Sequence, residues 1–492
     1  MPHVPSRRSF LTSASLGALT TSQAPAMQAR KQQRNILLLI ADDLGLHTGA
    51  YGDPVAKTPN LDRLAAEGVR FTSAFCTTAS CSASRSVLLS GLHNHANGQY
   101  GHEHGDAHFS YLPFVRPTPL LLKDAGYRTG VIGKLHVGPP DRFGWDLARV
   151  GSDRRVWEMA QTARDFIQAS GDRPWYLHVG YGDPHRLGRG FGNDGSYQKV
   201  EKTKFDPSKV RVPGFLPDNG PTAEEVAEYY EAANRLDQGI GFMLDALKQT
   251  GQLDNTLIVF LSDNGMPFAN AKTNLYDAGV RLPLLVRSPD QAPRGLVNNA
   301  MVSWVDLLPT FLDWSGAKGP DYRLHGRSFL PVLGTENPSG WDEVYFSHTF
   351  HEITMYYPMR GMRTRQYKYI RNIFSELEYP HATDLWGSKT WQSIRREGPA
   401  GRVGARSVQQ YLHRPAEELY DITKDPLEVN NLAGKPEHKE TLSAMHRKVH
   451  EFRRQTKDPW TLVNTYQGEP PGDSAAEREL GELARPRESK QQ

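Results

Sequence analysis

Cysteine is nearly absent from this chain. Only Cys76 and Cys81 occur among 492 residues, which excludes a disulfide scaffold and a zinc module with four cysteine ligands. Long apolar runs are also lacking, since no stretch approaches the roughly 20 residues of a membrane span, and we expect no membrane partner. The 58 Lys and Arg nearly balance the 55 Asp and Glu, which argues against a polybasic nucleic-acid binder.

The composition is that of a globular protein. Hydrophobic residues make up 38% of the chain and charged residues 23%, with 44 Gly and 34 Pro. These proportions exclude collagen-like, coiled-coil and wholly disordered proteins. At roughly 100–200 residues per domain, the length predicts two or three domains.

The N-terminal 30 residues have the features of an export signal. Arg7 and Arg8 precede a weakly apolar run over 10–20, and small residues follow at 24–26. This order is typical of a twin-arginine signal, with a disordered basic tail as the alternative. We interpret residues 1–30 as that signal, which predicts a soluble mature protein exported to the periplasm.

Apolar strand patterns and helical patterns alternate between residues 31 and 335. The continuous apolar run at 35–41 is typical of a strand buried on both faces. Thr58, Pro59 and Gly68 predict the start and end of a helix. The alternation indicates a doubly wound α/β domain. Further strands are predicted at 129–132, 175–179 and 256–262, and a second helix around 226–233.

The pattern changes after residue 335. Runs of β-branched and aromatic residues at 344–347 and 366–371 predict short strands without long helices between them, and 439–454 fits a final helix. We therefore expect a smaller antiparallel C-terminal domain over 336–465. Residues 466–492 are rich in Gly, Pro, Glu and Arg, which predicts a mobile tail.

Polar side chains directly follow four of the predicted strands. Ligands bind beyond the carboxyl ends of the strands in open α/β sheets, so four such clusters together predict one shared site, although any one alone fits a turn. The aspartates and the asparagine among them offer only oxygen ligands, which hard cations such as Ca²⁺ or Mg²⁺ prefer. The clusters are Asp42-Asp43, Lys134-x-His136, Asp183-x-His185 and Asp263-Asn264.

A distinctive segment, Cys81-Ser82-Ala83-Ser84-Arg85, precedes a helical run at 86–89. A cysteine at a helix N-terminus experiences a partial positive charge that favours anions. The residues alone leave open a nucleophilic thiolate or a disulfide to Cys76. Neither accounts for Arg85 or for the hard-metal ligands.

The segment resembles the sulfatase signature Cys-x-Pro-Ser-Arg-x-x-x-x-x-Gly, present here from Cys81 to Gly91, in which the cysteine is oxidised to formylglycine. The resemblance runs from about residue 34 to residue 460 and is strongest to the heparan N-sulfatase (sulfamidase) subgroup. Subgroup-like motifs lie at 133–139, 183–186, 262–268, 273–276 and 351–360, and family elements occur in order at Asp42-Asp43, Lys134, His136, Asp183, His185, Asp263-Asn264 and Lys272.

The resemblance implies an alkaline-phosphatase-like fold: a large doubly wound mixed sheet sandwiched by helices over 31–335, as the catalytic domain, with a smaller antiparallel sheet and helix after it. It implies one Ca²⁺, a formylglycine-generating machinery as a partner, and a homodimer. The metal ligands implied are Asp42, Asp43, Asp263, Asn264 and the modified Cys81. The catalytic residues implied are Cys81, Arg85, Lys134, His136, His185 and Lys272. The substrate-binding residues predicted are Asp183, His104, His351, Glu352 and Arg360.

Two positions depart from the family pattern. Ala83 stands where the signature has proline, which favours the extended form that the converting machinery reads, so we expect conversion of Cys81 to be partial or to need a machinery that tolerates alanine. Lys272 stands where the subgroup has arginine, which keeps the charge but loses the bidentate fork.

The implied function is removal of the N-sulfate from a terminal N-sulfoglucosamine of heparin or heparan sulfate. The alternatives are an O-sulfatase acting on another sulfated sugar, a phosphonate or phosphate monoester hydrolase, and a non-catalytic glycan-binding protein with unconverted Cys81. For His351, Glu352 and Arg360 an interdomain polar network is an equal alternative. We interpret a histidine cluster as pocket wall or loop packing rather than as a separate zinc site; it comprises His93, His95, His102, His104 and His108.

Overall fold

A computed structural model describes residues 34–151, 154–188 and 190–461. The predicted export signal and the predicted tail lie outside the described residues. The strands are β1 (Asn35–Ala41), β2 (Val69–Phe75), β3 (Arg128–Gly133), β4 (Leu147–Val150), β5 (Trp175–Gly180), β6 (Thr256–Ser262), β7 (Arg281–Arg287), β8 (Leu296–Ser303), β9 (Glu343–His348), β10 (Met359–Thr364), β11 (Tyr367–Asn372), β12 (Arg402–Val403), β13 (Arg406–Ser407) and β14 (Glu417–Asp421). The α-helices are α1 (Pro59–Glu67), α2 (Cys81–Ser90), α3 (Asn94–Asn97), α4 (Thr118–Asp124), α5 (Val156–Ser170), α6 (Gly220–Gln249), α7 (Asp277–Val280), α8 (Leu307–Ser315), α9 (Thr383–Trp386), α10 (Lys389–Arg396), α11 (Val408–Leu412) and α12 (Lys439–Gln455).

Eight strands form one mixed sheet in the order β4-β3-β5-β1-β6-β7-β2-β8. The first five run parallel, with β1 paired to β5 on one side and β6 on the other. Strand β7 is antiparallel to both β6 and β2, so β2 runs in the same direction as β6. The carboxyl ends of β3, β5, β1, β6 and β2 therefore meet at one edge of the sheet.

Helical layers cover both faces of this sheet. Strand β1 is buried along its whole length, and its side chains alternate between the two faces as a pleated strand requires. Leu37 and Leu39 pack in a cluster with residues of α5 and α6. Leu38 and Ile40 pack on the opposite face in a cluster with residues of α2 and α8. The predicted doubly wound mixed sheet between helices is confirmed.

A second sheet is antiparallel throughout, in the order β14-β11-β10-β9. Helix α12 covers one face, where Met445 and Val449 pack with Tyr369 and Leu419. Side chains of the opposite face, including Phe346, join the large apolar cluster beside the main sheet. The predicted smaller antiparallel sheet with a helix is confirmed, and the strands predicted at 344–347 and 366–371 are β9 and β11.

Two local predictions differ from the structure. Thr58 precedes α1 as expected, but its hydroxyl accepts a hydrogen bond from the Gly49 N–H at 2.8 Å and does not cap the helix. The helical run at 86–89 belongs to α2, which begins at Cys81 itself. Across the part of the chain that the structure describes, no helix combines the length and apolar character needed to cross a bilayer.

Candidate active site

The four predicted polar clusters lie together, because each follows one of four neighbouring parallel strands. Asp42 and Asp43 follow β1, and Asp263 and Asn264 follow β6. These four side chains are buried. The clusters that contain Lys134 and His185 follow β3 and β5, the next strands along the sheet, so all four clusters begin at the same end of the sheet.

The oxygen-rich part of the site fits a hard cation. Asp42, Asp43, Asp263 and Cys81 offer ligand atoms that all lie within 4.8 Å of one another. Asn264 is joined to them, since its Nδ2 donates to Asp43 Oδ1 at 2.7 Å. Asp42 Oδ1 and Asn264 Oδ1 are buried and have no hydrogen-bond partner within the described parts of the chain. Such oxygens are costly to bury alone, and a bound Ca²⁺ would satisfy both.

The charge balance points the same way. Burial raises the pKa of Asp43 and of Asp263, and neighbouring carboxylates add to this effect. Burial also acts to raise the pKa of Asp42, but Lys134, His185 and Arg85 outweigh it and hold that pKa well below its usual range. Burial therefore disfavours the ionised forms of Asp43 and Asp263, and a divalent cation between the carboxylates would favour those forms.

Cys81 is the first residue of α2, a helix in which all ten residues are buried. Its Sγ lies 3.7 Å from Asp43 Oδ1. Burial raises the pKa of the Cys81 thiol well above its usual value, so an unmodified Cys81 is a neutral thiol at pH 7 and a poor nucleophile. Both cysteines are free, and Cys76 Sγ faces Gly279 O at 3.7 Å. The disulfide alternative is therefore wrong.

Arg85 joins the segments that follow β6 and β3 and packs against the end of β5. Its Nε donates to Asp263 Oδ2 at 2.7 Å and its Nη1 donates to Lys134 O at 2.8 Å. The contact depends on Gly180 at the end of β5, because a Cβ there would lie 2.0 Å from Lys134 O and 2.9 Å from Arg85 Nη1. Arg85 Nη2 is buried and lies 3.9 Å from Asp42 Oδ1, but it has no hydrogen-bond partner in the described structure, so its N–H groups are available to a ligand.

Two buried lysines complete the positive side of the site. Lys134 Nζ donates to Asp42 Oδ2 at 2.7 Å, and Lys272 Nζ donates to Asp43 Oδ2 at 2.9 Å. Burial alone would lower the pKa of each lysine, but the carboxylates outweigh it and raise both. With Arg85 they form a charged set around Cys81 that can bind an anion.

A cavity of about 740 Å³ opens beside these residues. Lys134, His136 and His185 contribute to its wall from the main sheet. Three of the predicted substrate-binding residues line the same cavity, namely His104, His351 and Glu352.

Four imidazoles meet on one side of this cavity. His102 Nε2 lies 3.1 Å from His351 Nε2, and His104 Nδ1 lies 2.8 Å from His136 Nε2. Burial lowers the pKa of His102, His136 and His351 well below the usual value. These three side chains are therefore neutral, and each can donate and accept one hydrogen bond.

The histidine cluster seen in the sequence is divided between two places. His102 and His104 reach the cavity, whereas His93 and His95 pack against Phe452 of α12 with ring centroids 4.8 and 5.6 Å away. These positions match the expected pocket wall and loop packing, and the ligand atoms of His102, His104 and His136 also lie within 4.8 Å of one another. The fifth histidine, His108, is exposed.

Asp183 and Arg360 do not line the cavity. Asp183 is fully buried and accepts hydrogen bonds from Arg154 at 2.8 Å and Arg235 at 2.7 Å. Arg360 is also fully buried and donates two hydrogen bonds to Asp458, at 2.7 and 2.9 Å. Their positions do not support substrate contact, because these charged groups face protein partners; Arg360 fits the alternative of a polar network.

Asp384 belongs to the site but carried no signal in the sequence. It lies in α9, and its Oδ2 accepts a hydrogen bond from Lys272 Nζ at 2.6 Å and lies 3.9 Å from His185 Nε2. Although burial opposes ionisation, Lys272 and His185 lower the pKa of Asp384 to about 2. No motif surrounds it, and 112 residues separate it from Lys272.

Comparison with known proteins identifies the family. The profile of the sulfatase family matches residues 34–317, and the profile "N-sulphoglucosamine sulphohydrolase, C-terminal" matches residues 269–385. Human N-sulphoglucosamine sulphohydrolase is 38% identical over 466 residues, which cover 88% of this chain and 92% of that protein. The chain belongs to the sulfatase family. This sulfatase is accordingly a hydrolase of sulfate esters or sulfamates.

More distant relatives share the fold of the sulfatase. An ulvan-active sulfatase of Formosa agariphila is 28% identical over 84% of this chain and 78% of its own. A solved structure in complex with its substrate D-glucosamine-2-N,6-O-disulfate has a TM-score of 0.64 at 21% identity, covering 87% of this chain and 98% of its own. The phosphonate monoester hydrolase of Agrobacterium radiobacter has the same TM-score at 20% identity, and the match covers 86% of this chain and 96% of that structure. The fold alone therefore does not select the substrate.

Proposed function

We propose that this sulfatase hydrolyses the N-sulfate of a terminal N-sulfoglucosamine in heparin or heparan sulfate, with Ca²⁺ and with formylglycine at position 81. The observation that carries this proposal is the 38% identity to human N-sulphoglucosamine sulphohydrolase over nearly the full length of both chains. The second matched profile, over 269–385, supports it because that segment contains Asp384, which lines the cavity, and Lys272, which donates a hydrogen bond to it.

The proposed Ca²⁺ ligands are Asp42, Asp43, Asp263, Asn264 and the modified residue 81. When bound, the ion supplies Lewis-acid charge to a sulfuryl oxygen and orients residue 81. The two unpartnered oxygens and the raised pKa of Asp43 support this set.

Formylglycine at position 81, as its hydrate, would supply two hydroxyls: one to attack sulfur as the amine leaves, and a second whose deprotonation would regenerate the aldehyde and release sulfate. Arg85, Lys134 and Lys272 are proposed to hold the sulfuryl oxygens, since their positive groups surround position 81. His136 is proposed to take the proton from the second hydroxyl. Its neutral imidazole, with Nε2 bonded to His104, is suited to accept one.

His185 is the proposed acid for the leaving nitrogen. Burial lowers its pKa to about 3, with Lys272 adding to the effect, so His185 is neutral before substrate binds. An anionic sulfuryl group beside it would raise its affinity for a proton. Proton uptake by His185 would then accompany binding of the anionic substrate.

Three broader predictions complete the proposal. Residues 1–30 direct twin-arginine export to the periplasm, after a formylglycine-generating machinery has acted on Cys81. Residues 31–335 form the catalytic domain and 336–465 the C-terminal domain. The working form is a homodimer.

An assay panel tests the proposed function. Purified protein is given N-sulfoglucosamine, 6-O-sulfated glucosamine and an aryl phosphate under the same conditions, and we expect turnover of the first. Cys81→Ala should abolish turnover while thermal unfolding stays unchanged, and peptide mass spectrometry across position 81 should show formylglycine. Turnover of the ester substrates alone would contradict the N-sulfatase proposal, and full activity of Cys81→Ala would contradict the formylglycine mechanism.

A further inference from the structure

We propose that Asp384 forms a nitrogen subsite that accepts a hydrogen bond from the N–H of a sulfamate and thereby selects nitrogen over oxygen as the atom bonded to sulfur. The inference rests on the proposed function, which places a sulfate group beside Lys272. It assigns a role to a residue that the sequence did not indicate.

A carboxylate is unexpected at this position, because the neighbouring groups are arranged to bind an anion. Asp42, Asp43 and Asp263 are explained by the proposed cation, but Asp384 is not a member of the group around Cys81. Asp43 and Asp384 do lie near each other and near His185. However, the ammonium of Lys272 bridges the two carboxylates at 2.9 and 2.6 Å, so a second cation there has little to gain.

Asp384 has unused hydrogen-bonding capacity. Its Oδ2 accepts from Lys272, whereas its Oδ1 is buried and has no hydrogen-bond partner among the residues described. The side chain lines the cavity and keeps 18% of its surface exposed. An ionised carboxylate accepts several hydrogen bonds, and leaving a buried oxygen unpaired costs free energy. A ligand that donates at this point would therefore be favoured.

The chemistry of the substrate supplies that donor. In a sulfamate the atom that joins carbon to sulfur is nitrogen and carries a hydrogen; in a sulfate ester it is oxygen and carries none. If Lys272 holds a sulfuryl oxygen, the atom one bond beyond sulfur lies near Asp384, since the two side chains touch at 2.6 Å. The carboxylate would accept from the N–H of a sulfamate and repel the lone pairs of an ester oxygen.

The same carboxylate favours the amine product. Once sulfur is transferred, the leaving amine takes up a proton and becomes an ammonium group, which forms a charge-assisted hydrogen bond with Asp384. An alcohol released from an ester stays neutral. A hydrogen bond to a charged group strengthens binding affinity by about 10- to 100-fold.

Helix α9 holds Asp384 in place through Glu352. The Thr383 N–H donates to Glu352 Oε1 at 3.2 Å, and the Thr383 hydroxyl donates to the same oxygen. Glu352, predicted as a substrate-binding residue, therefore also acts as a positioning residue for the subsite.

The test compares two variants, Asp384→Asn and Lys272→Gln, in the full-length protein. Inhibition constants are measured for glucosamine, glucose and inorganic sulfate at a pH where the amine of glucosamine is protonated. For Asp384→Asn we expect glucosamine to bind about 10- to 100-fold more weakly, while glucose and sulfate change by less than about threefold. For Lys272→Gln we expect inorganic sulfate to bind more weakly and glucosamine to bind as tightly as it does to the wild type. The kcat/KM for N-sulfoglucosamine should fall in both variants.

Equal weakening of glucosamine and glucose in Asp384→Asn would overturn the proposal, as would wild-type protein that binds glucosamine no better than glucose. The comparison of glucosamine with glucose in the wild type needs no variant, so it tests the proposal even if Asp384→Asn fails to fold. Turnover of ester substrates alone by the wild type would instead refute the proposed function, and the glucosamine measurement would still report on Asp384 separately.

Discussion

Ala83 has to be compatible with two conformations, the folded helix α2 and the extended segment that exists before folding. In the folded protein it is the third residue of α2 and is fully buried. A proline in the first turn of a helix removes no intrahelical hydrogen bond, so the proline of the sulfatase signature and this alanine are both compatible with the helix. Proline and alanine differ at this position before the chain folds, because proline restricts the backbone around it to extended conformations and alanine does not.

We therefore expect Ala83→Pro to raise the fraction of chains that carry formylglycine at position 81 without changing kcat per converted chain by more than about twofold. Mass spectrometry of the peptide that contains residue 81, together with activity, measures both quantities. Ala83→Gly is the control, because added backbone freedom should lower conversion. Equal converted fractions in all three proteins would contradict the argument.

The sequence predicted those site residues that directly follow an apolar strand, because the end of a strand fixes the position of the next side chain. It could not predict Asp384, nor the burial of Asp183 and Arg360. Arg235 lies 52 residues after Asp183, and Asp458 lies 98 residues after Arg360. Such pairs are set by packing between distant elements, which no local pattern records.

At the scale of elements, the ends of β3 and β5 are joined closely. Gly180 ends β5, and the Lys134 N–H donates to Gly180 O at 2.7 Å. A side chain at Gly180 would collide with backbone of the β3 end and with Arg85. The contact leaves these strands little room to separate.

Gly180→Ala should therefore lower both stability and activity. We expect a loss of about 1–3 kcal/mol in the free energy of unfolding, the usual range for overpacking, and a kcat/KM reduced at least tenfold as Arg85 moves. Denaturant unfolding and turnover of N-sulfoglucosamine measure the two effects. Gly434→Ala is the matched control, since a Cβ there meets nothing within 4 Å. Wild-type behaviour of Gly180→Ala would show that the strand ends can separate freely.

The four strands that the polar clusters follow, β1, β3, β5 and β6, were predicted from the sequence, whereas β2, β4, β7 and β8 were not. Strands β1 and β6 are continuous apolar runs that fit burial on two faces. Strand β4 is partly exposed, and β2 alternates apolar and polar residues over its first half, so neither stood out. The order of the sheet, with antiparallel β7 inserted between β6 and β2, depends on contacts far apart along the chain.

At the scale of the whole molecule, a bound cation should stabilise the fold. The proposed ligands come from segments after β1 and β6 and from the start of α2, so an ion at this site bridges parts of the chain that separate on unfolding. A ligand that binds only the folded state at 100 times its Kd adds about 2.7 kcal/mol.

We expect Ca²⁺ to raise the melting temperature of the chelator-treated protein, and Asp263→Asn to remove this increment. Thermal unfolding with and without Ca²⁺ measures the effect. Asp321→Asn, at an exposed position, should keep the full increment. An identical melting temperature with chelator and with Ca²⁺ in the wild type would argue against the metal site.

The complete burial of α2 has a consequence for timing. An enzyme that converts Cys81 must reach an extended and accessible segment, and the finished fold offers neither. Under the proposed formylglycine mechanism, folding and conversion would therefore compete. Asp263, which helps to enclose the segment, is synthesised 178 residues after Arg85; at 5–20 residues per second this leaves roughly 10–35 s on the ribosome. If Cys81 is converted as proposed, the yield of active enzyme would depend on the rate of translation as well as on the sequence, and slower synthesis should increase it.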